Sequence, residues 1–251
     1  MSSLAEWNTT PSAVTAPVAV LDRIFAILDA VKDGDGSISI TDIAGRTGLP
    51  KSTVSRLVAD LADHRYLERT DAGVTLGLRL FELGSRANLP RRLINAAAPV
   101  LRRLSTTTGE RVGLWVQQGT DMVSIAVAGQ LSMLPTRAGM RSPALTTASG
   151  KAYLAFCGDV AVLDRISATL GDVDAEVFRD ELAHVRTAVV AVDAQMSYPG
   201  ITAVASPVLS TGHAVIGAVS IAGPSGSMDP EQAAPLIRAA GTSIARRLAA
   251  A

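Results

Sequence analysis

Hydrophobic positions in the first third of the chain recur every three or four residues, the spacing that buries one face of a helix. The first such stripe consists of Leu21, Ile24, Phe25, Leu28 and Val31. A second begins after Ser39-Ile-Thr-Asp42, where a hydroxyl precedes a carboxylate by three residues, as at a helix N-terminus. It ends near Arg46, and Gly48 can adopt the positive φ of a tight turn. We therefore expect two helices, the second followed by a sharp turn.

A third helix is predicted to begin at Pro50, since proline at the first helical position loses no hydrogen bond. Its buried face consists of Val54, Leu57, Val58 and Leu61. Residues 66–70 and 74–76 have the composition of short strands, and Asp71-Ala72-Gly73 joins them as a hairpin turn. Helices, turn and hairpin in this order predict a winged helix-turn-helix.

The exposed side of the third helix carries short hydroxyls beside long cations near its N-terminus. Such side chains hydrogen-bond phosphate oxygens and reach base edges in a DNA major groove. Together with nearby cations, the candidate DNA-binding residues are Arg46, Lys51, Ser52, Thr53, Ser55, Arg56, Arg65 and Arg69. Two cations on a helix, taken alone, are more often a solvated face. The ordered combination of elements favours DNA.

Three motifs in this stretch also resemble a known family. They are Ser39-Ile-Thr-Asp-Ile-Ala, Thr47-Gly-Leu-Pro-Lys-Ser-Thr-Val-Ser-Arg-Leu57 and Leu76-Gly77. Together they resemble the N-terminal domain of the isocitrate-lyase-regulator (IclR) family of bacterial transcription factors. The resemblance implies a winged helix-turn-helix DNA-binding domain, which we place at residues 16–77.

Helical spacing continues beyond the hairpin. Residues 78–88 are predicted to form a helix that ends near Pro90, and we assign residues 78–92 as a linker helix. A further helix leads to Thr108-Gly109. This helix should carry the chain into a second domain.

From residue 111 the hydrophobic period changes from 3.6 to 2, which is typical of strands. Strands are predicted at 111–118, 122–128, 189–192, 201–209 and 214–222. A loop containing Pro135, Gly139 and Pro143 follows the second strand. Helices are expected at 149–155, 160–170, 174–187 and from Asp229-Pro230 toward the C-terminus. Strands with helices between them predict an α+β sheet with helices packed on one face.

Four later motifs extend the family resemblance to nearly the whole chain. They are Gly139-Met-Arg-Ser-Pro-Ala, Thr147-Ala-Ser-Gly-Lys-Ala152, Gly200-Ile-Thr-Ala-Val-Ala-Ser-Pro207 and Ala218-Val-Ser-Ile-Ala-Gly-Pro224. The resemblance implies a GAF-like effector-binding domain, placed at residues 93–251, and thus a mixed α/β chain of two domains. Residues 1–15, rich in Ser, Thr, Ala and Pro, are expected to be a disordered tail.

An effector cavity is expected where the loops 129–150 and 193–200 cover the sheet. Its candidate lining is Leu145, Thr147, Ala148, Ser149, Ile201, Ala203, Ser220 and Ala222. Thr147 and Ser220 can donate to a carboxylate, and the buried hydroxyl of Ser220 needs a partner that a ligand could supply. Ala203, where the family frequently has Cys, and Ala222 leave room for something bulkier than a two-carbon acid, such as an aromatic or branched acid. Alternatively, these small residues only let helices approach the sheet.

Charge adds an expectation about assembly. The 251 residues carry 23 basic and 23 acidic side chains, so the chain is not basic as a whole. Between Arg46 and Arg69, however, the sequence has five basic and three acidic residues. A protein with few phosphate contacts per subunit gains affinity by placing two subunits on a pseudo-palindrome. We therefore expect a homodimer or dimer of dimers on double-stranded promoter DNA, with a small organic or aromatic acid as effector.

Other classes of function find little support. No apolar run is long enough to span a membrane and no secretory signal is evident, so we expect a cytoplasmic protein without a membrane partner. Gly150-Lys151 lacks the rest of a phosphate loop, and one cysteine with three scattered histidines predicts no triad and no metal site. We expect no catalytic residues and no cofactor. The alternatives are a metabolic enzyme using the C-terminal pocket and a winged-helix protein-interaction module.

Overall fold

The computed structural model describes residues 19–34, 36–130, 137–168 and 172–250. The chain divides into two compact units, Met1–Ala87 and Asn88–Ala251. The predicted tail at residues 1–15 and the loop position Pro135 lie outside the described residues.

The first unit is a winged helix-turn-helix, as predicted. Its elements are α1 (Val20–Lys32), α2 (Ile40–Thr47), α3 (Lys51–Asp63), β1 (Leu67–Thr70), β2 (Gly73–Leu76) and α4 (Leu78–Gly84). β1 and β2 pair antiparallel with Thr70 opposite Gly73, so the hairpin turns through two residues. Pro50 is the N-cap of α3 and not its first helical residue, a shift of one position from the prediction.

Local chemistry fixes the ends of α2. Ser39 Oγ accepts a hydrogen bond from the Asp42 N–H at 3.1 Å, which satisfies one orphan donor of the first turn. At the other end Gly48 adopts φ 68°, and its N–H donates to the Ala44 carbonyl. Leu49 is then buried in the core of the unit. The predicted helix start, helix end and turn are all confirmed.

The predicted buried face of α1 is wrong in part. Leu21 and Phe25 are 64% and 58% exposed, whereas Ile27, Ala30 and Val31 are buried. The apolar stripe of α1 is wider than the surface that α2, α3 and the hairpin cover. Periodicity identifies such a stripe but does not tell which part of it the neighbouring elements reach.

The helix predicted over 78–88 ends earlier, at Gly84, and α5 (Asn88–Thr108) already includes Leu89 and Pro90. Proline is tolerated there because the first-turn N–H groups have no intrahelical partner. The apolar positions Leu93, Ala97 and Leu101 of α5 are buried.

The second unit is an antiparallel sheet with helices. After α5 its elements are β3 (Arg111–Gln118), β4 (Asp121–Ala128), β5 (Arg141–Pro143), α6 (Ala148–Leu154), α7 (Val160–Ser167), α8 (Asp172–Ala188), β6 (Ala191–Ala194), β7 (Ile201–Leu209), β8 (Val215–Pro224) and α9 (Pro230–Ala249). The strand order is β5-β4-β3-β8-β7-β6. β5 was predicted as loop, and β6 begins two residues later than predicted, after Val189 at φ 55°.

Helices cover both faces of this sheet, so the prediction of helices on one face is wrong. Val219 and Ile221 of β8 pack with α5 and α9 in one buried cluster. Ala218 of the same strand belongs to a second cluster with α6 and α8. Alternate residues of β8 therefore face different helices, since successive side chains of a strand point to opposite faces.

Candidate functional site

The N-terminal part of α3 presents the predicted DNA-binding side chains to solvent. Lys51, Ser52, Ser55 and Arg56 are exposed and Thr53 is half-buried. The opposite side of the helix carries Val54, Leu57 and Val58, which are buried in the core of the unit. The sequence spacing thus separates a packed face from a polar, cationic face at the start of α3.

Two of the predicted cations are engaged within the protein. The Arg46 guanidinium donates to the Ala30 carbonyl at 3.3 Å, near the end of α1. The Arg69 guanidinium donates to the Ser55 carbonyl at 3.2 Å, which ties the hairpin to α3. Arg65 is exposed and adopts φ 63° directly after α3. Arg46 and Arg69 therefore position elements of the fold, a role that the sequence prediction did not include.

The hairpin is also held by the segment before α2, which the sequence analysis missed. Ile38 and Val74 exchange both backbone hydrogen bonds, at 3.0 and 2.9 Å, and Ser37 Oγ donates to the Ala72 carbonyl. Gly73 permits this approach, because a Cβ there would lie 2.7 Å from the Ile38 oxygen. The β1–β2 hairpin is therefore held in place by the segment that precedes α2.

In the second unit, a cavity of about 40 Å³ lies against the sheet beside α6. Its lining is Arg111, Trp115, Met140, Ser142, Thr147, Ala148, Ser149, Asp193, Tyr198, Ile201, Ala203, Ser220 and Ala222. Seven of the eight predicted residues are among them. Leu145 is not, since it packs against the apolar cluster of α6 and α8. A space of this size holds a few water molecules, so a ring-sized ligand requires the lining side chains to move.

Arg111 is the unusual residue of this cavity. It is only 2% exposed, and its Nε has no hydrogen-bond partner in the part of the chain that the structure describes. Its guanidinium lies 5.9 Å from the centre of the Trp115 ring, and one terminal nitrogen lies 3.8 Å from Met140 Sδ. No carboxylate of the described residues forms an ion pair with it. Burial lowers the pKa of Arg111, an effect that Tyr198 opposes. A buried cation without a counter-charge is costly, so the site favours an anion.

The two hydroxyls predicted to meet a ligand carboxylate are already engaged. Ser220 Oγ accepts the indole N–H of Trp115 at 2.9 Å, so a protein side chain is the partner that we expected a ligand to supply. Thr147 Oγ1 donates to the Pro143 carbonyl at 2.9 Å and accepts the Gly150 N–H as the N-cap of α6. Thr147 therefore has no free hydroxyl proton to offer a carboxylate, whereas Ser220 accepts from Trp115 and keeps its own hydroxyl proton for donation. The prediction of Ser220 as a carboxylate donor stays a prediction.

A carboxylate also lines the cavity. Asp193 is 4% exposed, and its Oδ1 accepts the backbone N–H groups of Met196 and Ser197 at 2.8 and 3.3 Å. Its Oδ2 has no hydrogen-bond partner among the described residues. The Tyr198 hydroxyl lies 3.5 Å from Ser142 Oγ. The cavity thus contains a cation, a carboxylate and neutral hydroxyls.

The described ranges show neither a metal site nor a membrane-spanning helix. No group of three His, Cys, Asp or Glu side chains there is arranged to hold a metal ion. No helix in that part of the chain is both long and apolar enough to cross a membrane.

Comparison with known proteins agrees with this architecture. Residues 20–71 match the IclR helix-turn-helix domain, and residues 89–246 match the domain described as bacterial transcriptional regulator IclR C-terminal. The HTH-type transcriptional repressor AllR of Klebsiella pneumoniae is 31% identical over 88% of this chain and 85% of that protein. The acetate operon repressor of Salmonella typhimurium is 27% identical over 88% of this chain and 86% of that protein.

The chain belongs to the IclR family. Its fold is similar to that of an IclR homologue from Microbacterium hydrocarbonoxydans crystallised with 4-hydroxybenzoate, with a TM-score of 0.82 and 26% identity. That comparison covers 93% of this chain and all of the other. The family and the two-domain fold predicted from sequence are confirmed, and so is the function of a transcriptional regulator with a helix-turn-helix DNA-binding domain.

Within this IclR-family cavity, sequence reasoning missed six lining residues: Arg111, Trp115, Met140, Ser142, Asp193 and Tyr198. One signal was available for Arg111, which opens an otherwise apolar strand, Arg111-Val-Gly-Leu-Trp115. Asp193 likewise interrupts an apolar run. A charged residue inside such a strand indicates either an exposed edge position or a buried functional site. Here both residues are buried.

Proposed function

We propose that this regulator binds double-stranded promoter DNA as a homodimer or dimer of dimers, and that a small organic acid in the C-terminal cavity changes its DNA affinity. The observation that carries the effector class is Arg111, a buried cation without an ion-pair partner among the described residues, in a cavity that small residues line in part. A carboxylate supplies both the missing counter-charge and an acceptor for the free Nε–H.

The DNA contact is assigned to the exposed side of α3. Lys51, Ser52 and Ser55 lie near the helix N-terminus, where hydroxyls and backbone N–H groups suit phosphate oxygens. Arg56 lies one turn further on the same exposed side, and an arginine there can reach a guanine edge in the major groove. We assign Arg65, exposed between α3 and β1, to a contact with the DNA backbone.

The relatives support an acid as effector. The Microbacterium hydrocarbonoxydans homologue was crystallised with 4-hydroxybenzoate, a carboxylic acid. The curated relatives are repressors, one of them of an acetate operon. We infer an organic acid, with an aromatic member of the class compatible with the small side chains of Ala203 and Ala222.

The mechanism is a coupling of two binding equilibria. An acid alters DNA affinity only if it binds one conformation of the subunit or dimer better than another. Burying a carboxylate against Arg111 provides such a difference, because conformations that open the cavity lose this contact. Typical coupling free energies of about 1–3 kcal/mol change DNA affinity about five- to 150-fold.

Exposed apolar side chains support an oligomer. In the first unit, seven large apolar side chains are at least 43% exposed: Val20, Leu21, Phe25, Leu76, Leu78, Phe81 and Leu83. Large apolar side chains crowded on short helices are typical of surfaces that a second subunit covers. A symmetric dimer also places two α3 helices for two half-sites.

The rival functions predict different behaviour. A metabolic enzyme needs an activated nucleophile, and none of the hydroxyls in the described cavity lining is hydrogen-bonded to a histidine or to Asp193. A protein-interaction module would show no salt-dependent DNA affinity.

A mobility-shift titration with DNA from upstream of its own gene tests the DNA half of the proposal. Affinity should fall steeply between about 50 and 200 mM salt, because phosphate contacts release counterions. Affinity that does not change with salt would exclude DNA recognition and favour the interaction module.

A further inference from the structure

The strand register aligns the two charged residues of the cavity. Arg111 of β3 pairs with Ala222 of β8, Ala222 pairs with Ala203 of β7, and Ala203 pairs with Asp193 of β6. Directly paired residues of an antiparallel sheet point to the same face. The four side chains therefore form one row across the cavity floor, with a cation and a carboxylate at its ends and two alanines between.

The two ends of the row are far enough apart to hold a small molecule once the lining side chains move. Three strand spacings separate the Arg111 and Asp193 backbones by about 14 Å. The long arginine side chain covers part of this span, and the short Asp193 side chain covers little. The two alanines leave the floor between the charged ends flat and apolar, suited to a ring or a short carbon chain.

Each end has unused hydrogen-bonding capacity. Arg111 Nε is a buried donor without an acceptor within the described ranges. At Asp193, Oδ1 is held by the N–H groups of Met196 and Ser197, which leaves Oδ2 as an acceptor without a donor in the described chain. The side chain of Asp193 is thus fixed in place by its own turn. A free donor at one end and a free acceptor at the other define a bipolar site.

We propose that the effector is a bipolar acid, with a carboxylate that pairs with Arg111, an apolar middle over Ala203 and Ala222, and a hydroxyl that donates to Asp193. This inference rests on the proposed function and adds a second requirement, a hydrogen-bond donor at the end remote from the carboxylate. An acid without that donor leaves Asp193 Oδ2 desolvated and unpaired, which costs affinity.

A hydroxyl suits the Asp193 end better than a second anion or a bare carbon. A second carboxylate would lie beside Asp193 and be repelled. A methyl ether keeps the oxygen of the hydroxyl and adds a methyl group, but it cannot donate; benzoate is the smaller acid without the donor. These differences make the donor requirement measurable with closely matched acids.

Calorimetry of the full chain with three acids tests the proposal. The ligands are 4-hydroxybenzoate, benzoate and 4-methoxybenzoate. Wild type should bind 4-hydroxybenzoate about tenfold or more tighter than the other two, since a hydrogen bond to a charged group is worth that much. Equal affinities for the three acids, or no saturable binding of any, would overturn the proposal.

Substitutions of Asp193 and Arg111 test the two ends of the bipolar site separately. In Asp193→Asn, Oδ1 can still accept from its turn but the outer acceptor is replaced by a donor, to which a hydroxyl and an ether oxygen can both accept. The preference for 4-hydroxybenzoate over 4-methoxybenzoate should therefore disappear. Asp164→Asn makes the same chemical change at an exposed position of α7 and should keep the preference. Arg111→Gln should weaken all three acids. A preference that survives Asp193→Asn would contradict the assignment.

Failure of the proposed function gives a different result. If 4-hydroxybenzoate binds with the predicted preference but never alters DNA affinity, the result supports the bipolar site and contradicts control of DNA binding by an effector. If DNA affinity responds to benzoate as strongly as to 4-hydroxybenzoate, the result supports effector control and contradicts the bipolar site.

Discussion

The indole N–H of Trp115 donates to Ser220 Oγ over 2.9 Å, across the β3–β8 pair at the base of the cavity. Gly113 makes this possible, because a Cβ at Gly113 would lie 2.7 Å from the indole nitrogen. Trp115 is therefore fixed over the strand, where its ring also approaches the Arg111 guanidinium. One hydrogen bond thus sets the position of an aromatic wall of the cavity.

Replacing Ser220 should lower stability. In Ser220→Ala the buried Trp115 N–H loses its acceptor, and we expect the free energy of unfolding to fall by about 1–3 kcal/mol. Denaturant titration measures this. In a Trp115→Phe background the same substitution should cost little, because no indole N–H is left unpaired. A full cost in both backgrounds would show that the hydrogen bond is not the cause.

Removing the charge of Arg111 should stabilise the ligand-free protein and abolish effector binding. Arg111→Met replaces a buried, unpaired cation by an apolar chain of similar length, and we expect the ligand-free protein to gain about 1 kcal/mol or more in stability. Acid binding should be lost. Arg102→Met, at an exposed position of α5, should change stability by less than about 0.5 kcal/mol. A destabilised Arg111→Met would mean that the guanidinium is satisfied in the free protein.

Arg56 should contribute directly to DNA affinity. It is exposed on α3, so Arg56→Ala should weaken operator binding by about 1–3 kcal/mol if Arg56 contacts a base, with the melting temperature unchanged. Mobility shifts against specific and scrambled DNA distinguish base contact from phosphate contact. Arg102→Ala serves as the control for loss of one surface cation. Equal operator affinity of Arg56→Ala and wild type would remove Arg56 from the interface.

Phe25 should lie in the interface between the two subunits of the dimer. It is 58% exposed on α1, and Phe25→Glu should shift the protein toward monomer in light scattering at micromolar concentration. Val177→Glu changes a residue that is 63% exposed on α8 and controls for an added acid elsewhere. A monomeric wild type would refute the proposed assembly, and a Phe25→Glu protein of unchanged mass would move the interface away from α1.

The parts of the fold that were predictable are those set by neighbours in sequence. Ser39, Gly48 and Asp229 fix helix ends through hydrogen bonds or φ values within a few residues, and all three ends were predicted. The buried face of α1 was not, because Leu21 and Ile27 are equally apolar and only the packing partners decide between them.

The candidate site was predictable in its small residues but not in its charges. Ala203 and Ser220 lie in motifs that carry the family resemblance, so they were assigned to the cavity. Arg111 and Asp193 are 82 positions apart in sequence and share a row only through the strand order β3-β8-β7-β6. That order depends on which strands pair at long range, and hydrophobic periodicity carries no information about it.

The most direct test of the account measures DNA affinity with the cavity filled and empty. Fluorescence anisotropy of DNA from upstream of the gene should be titrated with wild type and with Arg111→Gln, with and without saturating 4-hydroxybenzoate. We predict that the acid changes the wild-type apparent Kd by about fivefold or more, and that Arg111→Gln binds DNA like ligand-free wild type and does not respond. A wild-type cavity shown by calorimetry to be occupied, with DNA affinity unchanged, would contradict the account.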